Sequence, residues 1–183
     1  MRQHSVCVFC GARSGVKPVY EQAAQEFGTA LAAAGWGLTY GAGDIGLMGA
    51  VADAAQNAGG DTFGVMPKLL EGWEGVKPNL THYVLTETMH ERKKVMFMNC
   101  DAIVLLPGGA GSLDEFFEVL TWRQLGMHEK PIILLDVEGY WQPLLHLLEH
   151  VIVEGFADGS IRDFYSVSTD VPSALDTLRA TLS

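Results

Sequence analysis

Basic residues are scarce in this chain: 12 lysines and arginines stand against 22 acidic residues, for a formal net charge of −10 over 183 residues. That balance excludes a nonspecific nucleic-acid binder or a protein held to anionic lipid, both of which need clustered positive charge. Any phosphate must therefore be held by a local arrangement. Cysteine is scarce too. Cys7 and Cys10 have CxxC spacing but fall in a predicted strand, where side chains three apart point to opposite faces, and Cys100 is distant. Free buried thiols are expected, not a disulfide framework or a thiolate metal site.

No apolar run approaches the roughly 18 residues that a membrane span requires. The opening MRQHSVCVFC lacks the apolar core and cleavage site of a secretory signal, so a cytoplasmic protein with no membrane contact is expected. No tract rich in Pro, Gly or Ser divides the chain and no repeat recurs, so residues 1–183 are expected to form a single domain. His146 and His150 are one helical turn apart without a third ligand nearby. Neither a metal nor a cofactor is expected.

What is present is a packed globular composition, 48% hydrophobic and 19% charged. Short β-branched or apolar runs alternate with longer segments of helical period, the pattern of βα units building a parallel sheet. Strands are predicted at 6–10, 37–40, 62–66, 83–86, 102–106, 132–135 and 165–168. Helices are predicted from Tyr20 to Ala34 with Gly35 as the stop, and over 47–58, 88–99, 113–125 and 140–153. The broken stretch from Pro67 to Asn79 suits a lid or pocket wall.

Two glycine-rich turns follow predicted strands. Gly41-Ala42-Gly43-Asp44-Ile45-Gly46 is a literal GxGxxG, where bare amides and a helix dipole favour a phosphate, so Gly41 and Gly43 are candidate binding residues. A tight structural turn is the plain alternative. A dinucleotide is disfavoured, because Asp61 has the spacing of a ribose-binding acid but precedes its strand. The second turn, Pro107-Gly108-Gly109-Ala110-Gly111-Ser112, leads into a helix and forms a nest for an anion. It lacks the Gly-Lys-Ser/Thr ending of a triphosphate loop. Ser112 and Glu115 have the spacing of a capping box, yet Glu115 lies roughly 200° around the helix from Leu113, where it can enter a crevice.

In the segment from Met89 to Cys100, Arg92 and Lys93 fall in or beside the apolar sector of the helix. Charges aimed at a core need a partner, either an internal ion pair or an anionic ligand.

Taken together, several stretches resemble the LOG ("lonely guy") family of cytokinin-activating nucleoside-monophosphate phosphoribohydrolases, which are often labelled lysine decarboxylases. They are Cys7 to Gly11, Tyr40 to Gly43 with Gly46 to Gly49, Gly64 to Lys68, Met89 to Lys93, and a PGGxGTxxE motif at Pro107 to Glu115. Ser112 stands where that motif has threonine and keeps the hydroxyl. The resemblance implies a Rossmann-like α/β three-layer sandwich with a mostly parallel sheet of about seven strands, and a homodimer. It implies cleavage of the N-glycosidic bond of a cytokinin riboside 5'-monophosphate to free base and ribose 5-phosphate. Arg92 and Glu115 would be catalytic. Glu74, Lys93, Thr121 and the loop of Gly108, Gly109, Ala110, Gly111 and Ser112 would bind substrate. Two alternatives stay open, a general AMP or purine nucleoside-monophosphate nucleosidase and a nucleotide-binding protein without turnover.

Overall fold

Seven parallel strands form one sheet in the computed structural model, which describes residues 4–182. In chain order the elements are β1 (Ser5–Phe9), α1 (Pro18–Ala33), β2 (Gly37–Tyr40), α2 (Gly46–Asn57), β3 (Thr62–Pro67), α3 (Lys68–Glu74) and β4 (His82–Thr86). There follow α4 (Met89–Met98), β5 (Ala102–Leu105), α5 (Ala110–Gln124), β6 (Ile132–Leu135), α6 (Gln142–Val153), β7 (Ser166–Ser168) and α7 (Val171–Leu182). The sheet order is β4-β3-β2-β1-β5-β6-β7. Every pair is parallel, where a mostly parallel sheet was expected.

The central strands β1, β2, β5 and β6 are buried throughout, as a sheet covered on both faces requires, and their residues are mostly apolar. The edge strand β4 instead exposes His82 and Tyr83. One face of the sheet packs on α1, α2 and α7 through Phe27, Val51 and Leu178; the other packs on α4, α5 and α6 through Met96, Phe116 and Leu148. Cys7 and Cys10 point to these two different layers, and all three cysteines are buried thiols outside any disulfide. Burial pushes the Cys7 thiol well above its ordinary range, and its neighbour Cys100 adds to the shift.

Gly35 does stop α1: at φ +72° it donates to the Ala32 carbonyl while Trp36 reaches back to Leu31. Two helices depart from the sequence reading. The stretch after β3 forms the short α3 before it breaks at Gly75, and α7 carries Val171, Ala174, Leu175 and Leu178 as a buried stripe that the periodicity reading left unassigned.

This order reverses direction beside β1. The chain builds β2, β3 and β4 outward on one side, then returns to lay β5, β6 and β7 on the other. The carboxyl ends of β1 and β5 therefore lie side by side while their following loops diverge, which is where open α/β sheets hold ligands.

Candidate active site

A cleft of about 530 Å³ opens at this point, lined by the loop Cys10–Gly15 after β1, the loop Pro107–Gly109 after β5, and the start of α5. The two loops are bonded to each other, since the Gly11 amide donates to the Pro107 carbonyl at 3.0 Å. The Gly11 carbonyl accepts from the Leu47 amide at 3.0 Å, which ties the same loop to the start of α2.

The anion cradle is the start of α5. Gly109 is its N-cap and the helix begins at Ala110, three residues earlier than the apolar period indicates. The capping box expected from Ser112 and Glu115 is consequently absent: Ser112 sits inside the first turn and no side chain caps the helix. Its hydroxyl is buried against Gly108, where a side chain would collide with it. Gly109 and Gly111 have open space where side chains would stand, so a ligand can approach their backbone. Tyr140, from beyond β6, donates its hydroxyl to the Gly108 carbonyl at 2.6 Å and packs edge-on against Tyr20 at 5.4 Å.

A capping box forms at α4 instead. Thr88 accepts from the Glu91 amide and Glu91 accepts from the Thr88 amide, both at 3.2 Å, an arrangement that contributes about 1 kcal/mol. It fixes the turn that carries Arg92 and Lys93, both buried. Arg92 lines the cleft; its Nε donates to the Val65 carbonyl at 3.1 Å and its Nη2 to the Gly41 carbonyl at 2.9 Å. Lys93 turns to α5, where its ammonium lies 2.8 Å from Glu118 and 3.0 Å from Asp114. Burial works to lower its pKa, but Glu118 and Asp114 together outweigh that and raise it, which favours the charged ammonium. Lys93 is not among the lining residues; Asp114 is.

Glu115 leaves α5 on the cleft side, half-buried, and lines the same space as Arg92. Of the remaining candidates, Gly108 joins Gly109, Gly111 and Ser112 in the wall. Ala110 is exposed beside it, and Thr121 is exposed about three turns further along α5. Glu74 ends α3, and its side chain lies outside the described residues. Gly41 and Gly43 are buried behind the cleft, and the turn serves the protein's own chemistry: Gly41 seats Arg92, and Ala42 accepts from the Lys77 amide at 2.9 Å.

Sequence reasoning missed Arg13, Ser14, Tyr20 and Tyr140, all of which line the cleft. The apolar wall of Met48, Leu70 and Met89 was also unread, although Leu70 comes from the stretch expected to be a pocket wall. Among the described residues no group of three His, Cys, Asp or Glu side chains is placed to hold a metal ion, and no helix is long and apolar enough to cross a membrane.

A family model described as "Possible lysine decarboxylase" matches residues 48–178. The probable cytokinin riboside 5'-monophosphate phosphoribohydrolase LOGL9 of Oryza sativa subsp. japonica is 43% identical over 177 residues, covering 97% of this chain and 78% of its own. The cytokinin riboside 5'-monophosphate phosphoribohydrolase of Rhodococcoides fascians is 42% identical over 181 residues, covering 96% and 89%. Among solved structures, the Moco carrier protein of Chlamydomonas reinhardtii superposes with a TM-score of 0.75 at 22% identity, covering 99% of this chain and 98% of that one. The molybdenum cofactor binding protein of Rippkaea orientalis does so with a TM-score of 0.76 at 20% identity, covering 100% and 99%. At such identities the structural likeness is one of fold.

Proposed function

This chain belongs to the cytokinin riboside 5'-monophosphate phosphoribohydrolase family, and from that membership we propose that it hydrolyses the N-glycosidic bond of N6-modified AMP, with Arg92 and Glu115 as its catalytic residues. It is a hydrolase acting on N-glycosyl bonds. The observation that carries the residue assignment is that a carboxylate and an anchored guanidinium line one cleft beside a helix N-terminus at the switch point of the sheet.

In the reaction the bond between C1' and the base nitrogen breaks and its electron pair leaves with the base, which takes up a proton, while water forms the new C1'–O bond and gives up a proton. Positive charge grows on the ribose as this happens. The Glu115 carboxylate stabilises that charge and directs the attacking water, as carboxylates do in glycoside hydrolysis. Arg92, held by two carbonyls, presents its charge to the phosphate or the departing base without reorganising. Bare amides at Gly109 and Gly111 receive the phosphate. Met48, Leu70 and Met89 offer an apolar wall to the base, which supports a substrate with an apolar N6 substituent. A decarboxylase reading has no such support, because none of the lining residues is a lysine that could form a Schiff base. The homodimer is part of the proposal, supported by the exposed apolar side chains Met98, Phe117, Leu125 and Met127 on and after α4 and α5; mass measurement in solution tests it.

The test is to incubate the purified protein with AMP, N6-isopentenyl-AMP and the matching nucleosides and follow free base by chromatography, beside Glu115→Gln. Base released from the monophosphates by the native protein, fastest from the N6-modified one, and lost in the variant is the expected result. Tight nucleotide binding with no base released would make the protein a carrier; equal turnover by Glu115→Gln would remove that residue's role.

A further inference from the structure

We propose that Arg13, on the loop after β1, holds the 5'-phosphate of the substrate and so makes the cleft select monophosphates over nucleosides; this rests on the hydrolase reading above. A dianion entering a protein of net charge −10 must find a cation within the cleft itself, where Asp114 and Glu115 already place negative charge. The wall contains two cationic side chains, Arg13 and Arg92. Arg92 commits its Nε and Nη2 to Val65 and Gly41 behind the cleft. Lys93, next to Arg92 on α4, is bound by two carboxylates of α5.

Arg13 differs from both. It is exposed within the cleft, and its side chain makes no hydrogen bond or ion pair among the described residues. Its backbone, by contrast, is fixed. Gly11 is bonded to Pro107 on one side and to Leu47 on the other, and a Cβ on Gly11 would stand 3.4 Å from the Gly108 Cα. Gly46, at φ +60°, packs so closely on the backbone of Ala12 and Arg13 that any side chain there would collide with it. The loop thus presents an exposed guanidinium from a closely packed root, two residues from the glycine that touches the phosphate cradle. Ser14 follows it into the cleft with a hydroxyl. A planar fork of donors matches phosphate oxygens in a bidentate pair, which a lysine point charge does not reproduce. With the phosphate on Arg13, Arg92 is left to act at the departing base.

The experiment compares the native protein with Arg13→Ala and Arg13→Lys on AMP, N6-isopentenyl-AMP and their nucleosides, and measures ribose 5-phosphate binding by calorimetry. Expected for Arg13→Ala is a KM for the monophosphates raised about 10- to 100-fold, with kcat within about threefold. Ribose 5-phosphate should weaken by the same factor, Arg13→Lys should recover part of the loss, and any turnover of nucleosides should not move. Unchanged KM and unchanged ribose 5-phosphate affinity overturn the proposal, as does an equal loss on nucleosides and monophosphates. If the native protein releases no base, the hydrolase reading fails on its own; ribose 5-phosphate binding still decides the role of Arg13, by its loss or persistence in Arg13→Ala.

Discussion

Arg92 fills the space that a side chain on residue 41 would need: its Nη2 donates to the Gly41 carbonyl, and a Cβ placed at Gly41 would overlap that nitrogen. The first glycine of the GxGxxG turn is thus a seat for an arginine from the other end of α4's connection to the sheet. Because Val65 supplies the second acceptor, the guanidinium is held by backbone atoms at the ends of two neighbouring strands. Its position is set before any substrate arrives, the condition under which a charge stabilises a transition state most effectively.

Gly41→Ala should therefore act as an arginine variant in disguise. The residue is not in the left-handed region, so alanine is tolerated by the backbone, and the expected effect is loss of roughly 100-fold in kcat/KM through displacement of Arg92. Since both changes act on one group, Gly41→Ala combined with Arg92→Ala should be no slower than Arg92→Ala alone. Steady-state kinetics of the three variants check this; losses that multiply would refute the shared mechanism.

Tyr140→Phe removes the hydroxyl that fixes the Gly108 carbonyl while keeping the ring against Tyr20. One hydrogen bond is lost, with an expected cost of about 1 kcal/mol in stability. The cradle loosens with it, so KM for the monophosphate should rise several-fold. A variant with the native melting temperature and the native KM would show that the bond holds nothing in place.

Lys93→Met leaves Glu118 and Asp114 facing one another without their shared cation. Lys93 is buried but Asp114 is 62% exposed, so solvent tempers the repulsion and the expected loss is about 1 to 3 kcal/mol of stability. For a chain of this size that is a fall of several degrees in melting temperature. Calorimetric unfolding checks it, and adding Glu118→Gln to the variant should restore part of the loss.

His128 gives the protein a pH dependence of defined sign. Its Nδ1 accepts from the Lys130 amide at 3.2 Å, which puts the proton on Nε2, 2.9 Å from the Val119 carbonyl. Burial holds its pKa below the ordinary histidine value, against the Val119 bond and with help from Arg123 and Lys130. The unfolded chain takes up the proton near pH 6.5 and the folded chain resists it, so stability is complete above that pH and declines as the medium is acidified through it. Denaturant unfolding between about pH 7.5 and about pH 5.5 should show a shallower decline for His128→Gln than for the native protein.

Most of the architecture could be read from the sequence because it is local: each strand is an apolar run bounded by turn residues, and five of the six longer helices were read by their period. The short α3 has too few residues to display one. The stripe on α7 was visible at Val171, Ala174, Leu175 and Leu178 but went unread. In the site, Gly109 to Ser112, Arg92 and Glu115 were legible because their motifs are contiguous. Arg13 and Tyr140 were not, since neither has a local pattern; each matters only because β1 lies beside β5 and β6 follows. Ser112 misled for the opposite reason. Its spacing to Glu115 suits a cap, yet bare glycines let the helix start at Ala110, which moves the serine inside.

The neighbouring of β1 and β5 also sets when the site comes into being. The amide of Ser5 in β1 donates to the carboxylate of Asp101, just ahead of β5 and 96 positions on in the chain, a closure whose entropic cost grows only with the logarithm of length but which delays folding. The segment from β1 to α4, which carries both arginines, is made before the glycine cradle that follows β5. Because the cleft takes its walls from both loops, it is complete only once both halves of the chain have folded together.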